Sequence, residues 1–231
     1  MKKSLIPGLI LPVLLLLFVM NGCKKKSDDP VPAPTTVTDA DGNLYHTLTL
    51  GTQTWMVENL KVTHYRNGDP IPVIVEDTAW SELTTGARCA YEHDTAKGAV
   101  YGQLYNWFAV TDLRQICPQG WHVPTDQEWQ ILVDFLGGET VAGGKMKERD
   151  TLHWLSPNTG ATNESGFTAL PAGARSFDGM FYLMQSHAFF WSSTATIGNM
   201  AWFRYTEDLD AYIGRTADVT TSGFSVRCVH D

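Results

Sequence analysis

Between Cys117 and Trp129 the chain reads Cys-Pro-Gln-Gly-Trp-His-Val-Pro-Thr-Asp-Gln-Glu-Trp, and nearly every residue there restricts its neighbours. Pro118 and Gly120 call for a turn, Trp121-His122-Val123 makes a short buried strand, and Pro124, lacking an N–H, closes it. Thr125 stands three residues before Glu128, the spacing at which a hydroxyl and a carboxylate satisfy each other's backbone N–H groups and open a helix. Trp129, Leu132, Val133 and Leu136 then fall on one face, and Gly137-Gly138 ends the helix. A strand, a helix with a buried stripe and a stop are expected in succession.

That stripe needs a core to cover it. At 231 residues and 43% hydrophobic, the chain can build one domain with a sizeable interior. Its 8 Trp and 20 Gly favour short strands and long loops over a helical bundle. Leu44–Leu50 alternates like a half-buried strand, Gly51-Thr52-Gln53 turns, and Thr54–Val57 returns, which predicts a hairpin. A polar excursion through Asn67-Gly68-Asp69-Pro70 and Pro72 follows, then a short helix from Asp77 to about Leu83. Tyr101–Val110 places apolar groups at 104, 107, 108 and 110 and reads as a helix packed on the core. Val141–Glu148 reads as a brief further helix weakened by Gly143-Gly144. Strands are expected at Phe167–Leu170, Phe189–Ser193, Ala201–Tyr205, Ala211–Ile213 and Phe224–Val229. No internal repeat is visible, and the order of a hairpin, two helices and a meander predicts an α+β fold.

The N-terminus is a targeting segment. Lys2-Lys3 precede an apolar run from Leu5 to Met20, interrupted by Pro7 and Pro12, and Asn21-Gly22-Cys23 resembles a bacterial lipoprotein cleavage site. Residues 1–22 are therefore expected to be a signal peptide and Cys23 the acylated residue, a firm anchor because each buried methylene adds about 0.8 kcal/mol. Residues 23–38, with Lys24-Lys25-Lys26, Asp28-Asp29 and Pro30, Pro32 and Pro34, read as a disordered tether, leaving 39–231 as the domain. Lysine followed by Asp-Asp just after the acylated residue looks like the surface-export signal of Bacteroidetes lipoproteins, so the expected location is the outer face of the outer membrane. Net charge is −8, and −10 once Lys2 and Lys3 leave, which argues against nucleic acid as a partner. Outside the cytoplasm two of Cys89, Cys117 and Cys228 should pair. Cys117 with Cys228 is expected, because both lie in predicted buried strands and the bond would tie the chain end to the domain centre; Cys89 is left as a buried thiol.

Several longer segments point to a family. They are Gly51-Thr-Gln-Thr-Trp-Met-Val-Glu-Asn-Leu60, Tyr101-Gly-Gln-Leu-Tyr-Asn-Trp-Phe-Ala-Val110, Cys117 through Trp129, Asn163-Glu-Ser-Gly-Phe-Thr-Ala-Leu-Pro-Ala-Gly173 with Arg175, Trp191-Ser-Ser-Thr194, and Gly223-Phe-Ser-Val-Arg-Cys-Val229. On these the chain resembles the Fibrobacter succinogenes major paralogous domain proteins, which occur as surface or secreted lipoproteins in Bacteroidetes and Fibrobacteres and bring no assigned activity. More distantly, His122-Val-Pro-Thr-Asp-Gln-Glu-Trp129 and Gly223-Phe-Ser-Val-Arg227 are similar to two signatures of formylglycine-generating-enzyme domains. That resemblance implies a C-type-lectin-like mixed sheet with paired terminal strands, two flanking helices and long loops.

The chemistry that resemblance would bring is not written in the chain. The copper site of those enzymes needs a cysteine pair upstream of the Gly-Phe-Arg-like ending, and Ala201–Ser222 contains no Cys. His122, His153 and His187 share no ligand spacing, no Gly-rich phosphate loop or Gly-x-Ser-x-Gly is present, and Asp126 and Glu128 read as helix-start residues. No catalytic residue is assigned. Asn158, Asn163 and Glu164 are hard oxygen donors on one loop and make calcium the one candidate ion, against a loop held by its own Asn side chains. The binding reading rests on Trp191, Trp202, Phe203, Tyr205 and Tyr212 beside Arg175, Arg204 and Arg215, with alternation putting Trp202 and Arg204 on one face. The expected function is a lipid-anchored surface protein that binds a glycan or protein ligand without catalysis; the alternatives are a glycan-active enzyme and a structural envelope component.

Overall fold

The computed structural model describes Met1 and residues 35–231, and Pro34–Asp231 form one compact unit. The expected leader, Cys23 and most of the expected tether lie outside the described residues. Along the chain come β1 (Thr36–Thr38), β2 (Leu44–Leu50), β3 (Gln53–Met56), α1 (Asp77–Ser81), β4 (Arg88–Cys89), α2 (Thr95–Tyr101), β5 (Leu104–Asn106) and α3 (Trp107–Val110). Next are β6 (Trp121–His122), α4 (Asp126–Phe135), α5 (Glu139–Met146), β7 (Ala174–Arg175) and β8 (Phe181–Tyr182). The chain finishes with β9 (His187–Ala195), β10 (Met200–Glu207), β11 (Gly214–Val219), β12 (Gly223–Phe224) and β13 (Val229–His230). Among the described residues no helix is long and apolar enough to cross a membrane.

Three sheets result, in the orders β1-β2-β3-β13-β6, β11-β10-β9 and β4-β5-β12-β7-β8. The fold is sheet-rich α+β. Every ladder between these strands is antiparallel, and parallel pairing occurs only as isolated bridges such as Phe190 with Ser225. The strands thus form short antiparallel ladders, accompanied by five α-helices among the described residues.

The Cys117–Trp129 stretch does what its residues demand. Thr125 Oγ1 accepts the Glu128 N–H while the Glu128 carboxylate accepts the Thr125 N–H, so both halves of the capping box are present. Trp129, Leu132, Val133 and Leu136 are buried, in one core with Trp55, Phe167, Phe190 and Val229. The chain end returns to this stretch: Val229 pairs with His122 and Trp55, and His230 with Trp121. Cys117 and Cys228 are disulfide-bonded across a separation of 111 residues, a loop whose closure contributes about 5 kcal/mol in chain-entropy terms. Cys89 is free and buried.

Four expectations are corrected. Tyr101–Val110 is not one helix: Gly102 ends α2 at φ +84°, where a Cβ would lie 2.9 Å from the Leu60 carbonyl oxygen, and Leu104–Asn106 is a strand. Asn106 then caps the short α3 by accepting the Ala109 N–H. The period was deceptive because β5 is buried on both faces and shows no alternation. Phe167–Leu170 is an irregular connection with one bridge at Ala169. Ala211–Ile213 is a bend, and the strand begins only at Gly214, where a Cβ would fall 2.0 Å from the Tyr205 ring. Phe224–Val229 is two strands, β12 and β13, because the chain crosses from one sheet to another between them. In addition the folded unit reaches back into the expected tether: Val37 packs on the core and Thr36–Thr38 pair with Leu44–His46.

Candidate functional site

Alternation along β10 places Trp202 and Arg204 on one face, and the antiparallel register sets Arg215 of β11 directly opposite Arg204. Helix α4 covers this face. Its first turn is fastened to β9, where Thr194 Oγ1 accepts the Asp126 N–H at 3.0 Å. The Asp126 carboxylate thereby points between the two arginines. It accepts Arg204 Nη2 at 3.0 Å and Arg215 through Nε at 3.0 Å and Nη2 at 2.8 Å. The Arg215 guanidinium lies 3.5 Å above the Trp202 ring.

The two arginines differ in kind. Arg204 is fully buried, and its Nε and Nη1 find no partner among the described residues. Burial lowers its pKa and Asp126 opposes that shift. Asp126 and Gln130 hold its Nη2, so Arg204 braces the helix and does not reach a ligand. Arg215 is exposed, and hydrogen bonding to Asp126 raises its pKa. A stacked exposed cation contributes about 0.5–1 kcal/mol, too little to explain the arrangement as a stability device. What it supplies is order: a long side chain is held flat, in one rotamer, at the surface.

The remaining residues expected at a ligand face do not join it. Trp191 is fully buried, donates Nε1–H to the Tyr105 carbonyl at 2.8 Å and lies 4.4 Å from the Phe224 ring, so it is core. Arg175 is fully buried and donates to the carbonyls of Gly179, Ile74 and Val75 and to Asp77. Tyr205 is on the opposite face of β10, against Phe189 and Phe203. Of the expected residues, Trp202, Arg204 and Arg215 come together; Asp126, read from sequence only as a helix-start residue, is what joins them. No local signal announces that role, since its partners lie 78 and 89 residues away.

Of the oxygen donors considered for calcium, Asn163 Oδ1 accepts the Thr168 N–H and Glu164 is exposed near Lys145, whereas Asn158 donates through Nδ2 to the Glu148 and Asp150 carbonyls and its buried Oδ1 has no hydrogen-bond partner among the described residues. The same region holds a buried side-chain cation. Lys147, fully buried at the end of α5, donates Nζ–H groups to the carbonyls of Thr159, Glu207 and Asp210 at 2.9, 2.8 and 2.7 Å. Burial pulls its pKa down to about 8, against the opposing pull of Asp210, Asp208 and Glu207.

His122 is the remaining titratable centre. Its Nδ1 meets Asp231 Oδ1 at 2.6 Å and its Nε2 meets Glu128 Oε1 at 2.9 Å, beside a cavity of about 230 Å³ that also touches Ser193. Burial alone would lower the His122 pKa, but the two carboxylates outweigh it and raise it. With both nitrogens committed, the ring is a cationic clamp with no free lone pair for a proton. Among the described residues no group of three or more His, Cys, Asp or Glu side chains is arranged to hold a metal ion. Burial pushes the Cys89 thiol up to about 11, which keeps it protonated and unreactive.

Residues 48–230 match the model of the Fibrobacter succinogenes major domain. No curated protein and no solved structure matches the chain.

Proposed function

The chain belongs to the Fibrobacter succinogenes major domain family, and from that premise we propose that it is a lipid-anchored protein of the outer cell surface whose folded unit binds a glycan or protein ligand without catalysis. The anchor is inferred from Asn21-Gly22-Cys23 behind an apolar leader, and the C-type-lectin-like architecture from the two short signatures at His122–Trp129 and Gly223–Arg227. The observation that carries the binding reading is the Arg215 guanidinium stacked 3.5 Å over Trp202 and clamped by Asp126. A preordered cation on an aromatic ring is the kind of anchor that recognition surfaces concentrate their energy in.

Geometry favours binding over glycan cleavage. Hydrolysis of a glycosidic bond uses two carboxyl groups about 5–10 Å apart. The carboxylates that converge beside His122, Glu128 and Asp231, are both committed to that one ring, and Glu128 also caps α4, which favours binding over cleavage. The test is array binding by the unit Pro34–Asp231 to glycans and to surface proteins, with and without chelator. Binding should weaken about tenfold in Trp202→Ala and Arg215→Ala, whose melting should stay close to the parent's. Absence of binding to every glycan and protein would favour a structural envelope role.

A further inference from the structure

A cavity of about 450 Å³ opens between the loop after α1, helix α3, the β7–β8 turn and the two ends of the β10–β11 hairpin. Its walls include Glu82, Phe108, Phe177, Asn199, Thr220 and Thr221. These come from five separate segments, yet their backbones are tied together. The Trp107 N–H donates to the Thr220 carbonyl and the Thr220 N–H to the Asn199 carbonyl, both at 2.9 Å. The turn carrying Phe177 is closed by the Ser176 N–H on the Met180 carbonyl at 2.8 Å. That turn is seated on α1 at Gly179, where a Cβ would come within 2.4 Å of Asp77 Cα. Arg175 completes the bracket by bonding Gly179, Ile74, Val75 and Asp77 at once. The arginine expected to touch a ligand is instead a positioning residue for this wall.

The lining is specific in its chemistry. Phe177 is 55% exposed, and with Phe135 it is one of two aromatic rings among the described residues left mostly open to solvent. Phe135 covers Gly51 and lines a smaller pocket that also holds Lys145 and Glu164, whereas Phe177 lines this cavity. Around the two phenylalanines stand hydroxyls from Ser81, Thr84, Thr220 and Thr221, the Asn199 amide and the single carboxylate of Glu82, and no Lys, Arg or His. Without a cation the cavity is unsuited to phosphate or carboxylate. A ring with an apolar C–H face and a rim of hydroxyls matches it: the C–H face lies on Phe177, and the hydroxyls donate to Glu82 and exchange bonds with Asn199 and the threonines. We propose that this cavity is a binding site for one neutral hexose unit of a glycan, separate from the Trp202–Arg215 face. The proposal rests on the reading of the unit as a binding module and names its ligand class.

The test is saturation-transfer NMR and calorimetric titration of the unit Pro34–Asp231 with neutral trisaccharides of glucose, mannose and galactose, with trigalacturonate, and with choline. A neutral trisaccharide should bind, and Phe177→Ala and Asn199→Ala should each weaken it about tenfold while Trp202→Ala and Arg215→Ala change it less than about twofold. Two variants on different segments, each checked by its melting curve, guard against a folding artefact. Tighter binding of choline, which would use the same rings and Glu82 as a cation site, or of trigalacturonate overturns the proposal. So does neutral-sugar binding that only Trp202→Ala and Arg215→Ala weaken, an outcome that leaves the face intact as a site. If no sugar binds, the hexose site is wrong, and a protein ligand at Trp202–Arg215 still stands or falls by its own array.

Discussion

His122 and Asp231 are 109 residues apart in sequence and meet through a 2.6 Å contact between imidazole Nδ1 and carboxylate Oδ1. Because Glu128 holds the other nitrogen, the ring ties the chain terminus to the capping box of α4. Its pKa is raised in the folded state, so the stabilisation is fully present below the unfolded value of 6.5 and is lost as pH rises through the folded value. Stability should therefore fall by about 1 kcal/mol from pH 6 into the alkaline range, and His122→Gln should flatten that slope. Urea titrations at several pH values read this directly; an unchanged slope in the variant would remove the clamp.

Asp126 and Arg215 form one ion pair, but their loss should not cost the same. Arg215→Ala removes an exposed partner and should destabilise by less than about 1 kcal/mol. Asp126→Asn leaves Arg204 buried without its carboxylate and should cost about 3 kcal/mol. Equal costs measured by chemical denaturation would contradict the division into a brace and a platform.

Lys147→Met leaves three converging carbonyls without a donor and should destabilise by about 3–5 kcal/mol. Chelator should leave the melting temperature of the parent unchanged within about 1 °C, since the loop from Asn158 to Glu164 is held by its own side chains and by this ammonium. A chelator-sensitive melt would instead support a bound calcium ion at this loop.

Cys23→Ser should move the protein from the membrane fraction to the soluble one and abolish labelling by a fatty-acid analogue, because acylation of that thiol is the expected anchor. Retention in the membrane would require a different attachment.

Parts of this fold were legible in the sequence for a physical reason. The strand–helix unit from Trp121 to Leu136, the hairpin Leu44–Met56 and strands β9 and β10 all follow from interactions between residues close in the chain: caps, turns and periodicity. Tyr101–Val110 misled because a strand buried on both faces loses its alternation, and Gly102 stops α2 through the proximity of Leu60, a residue from another segment. The Cys117–Cys228 bond was readable because only three cysteines follow Cys23 and these two lie in segments predicted to be buried strands.

Local interactions thus dictated most of the elements and the buried stripe of α4. Which side chains became surface and which became interior was decided when distant segments packed. Trp191 and Trp202 are both aromatic residues on neighbouring strands, yet one fills the core and the other carries Arg215. Arg175 and Arg204 look like ligand contacts until packing shows them buried as braces, and nothing in the local sequence marks Phe177 as lining a cavity. Burial is a property of the whole assembly of contacts, so no window of sequence contains it.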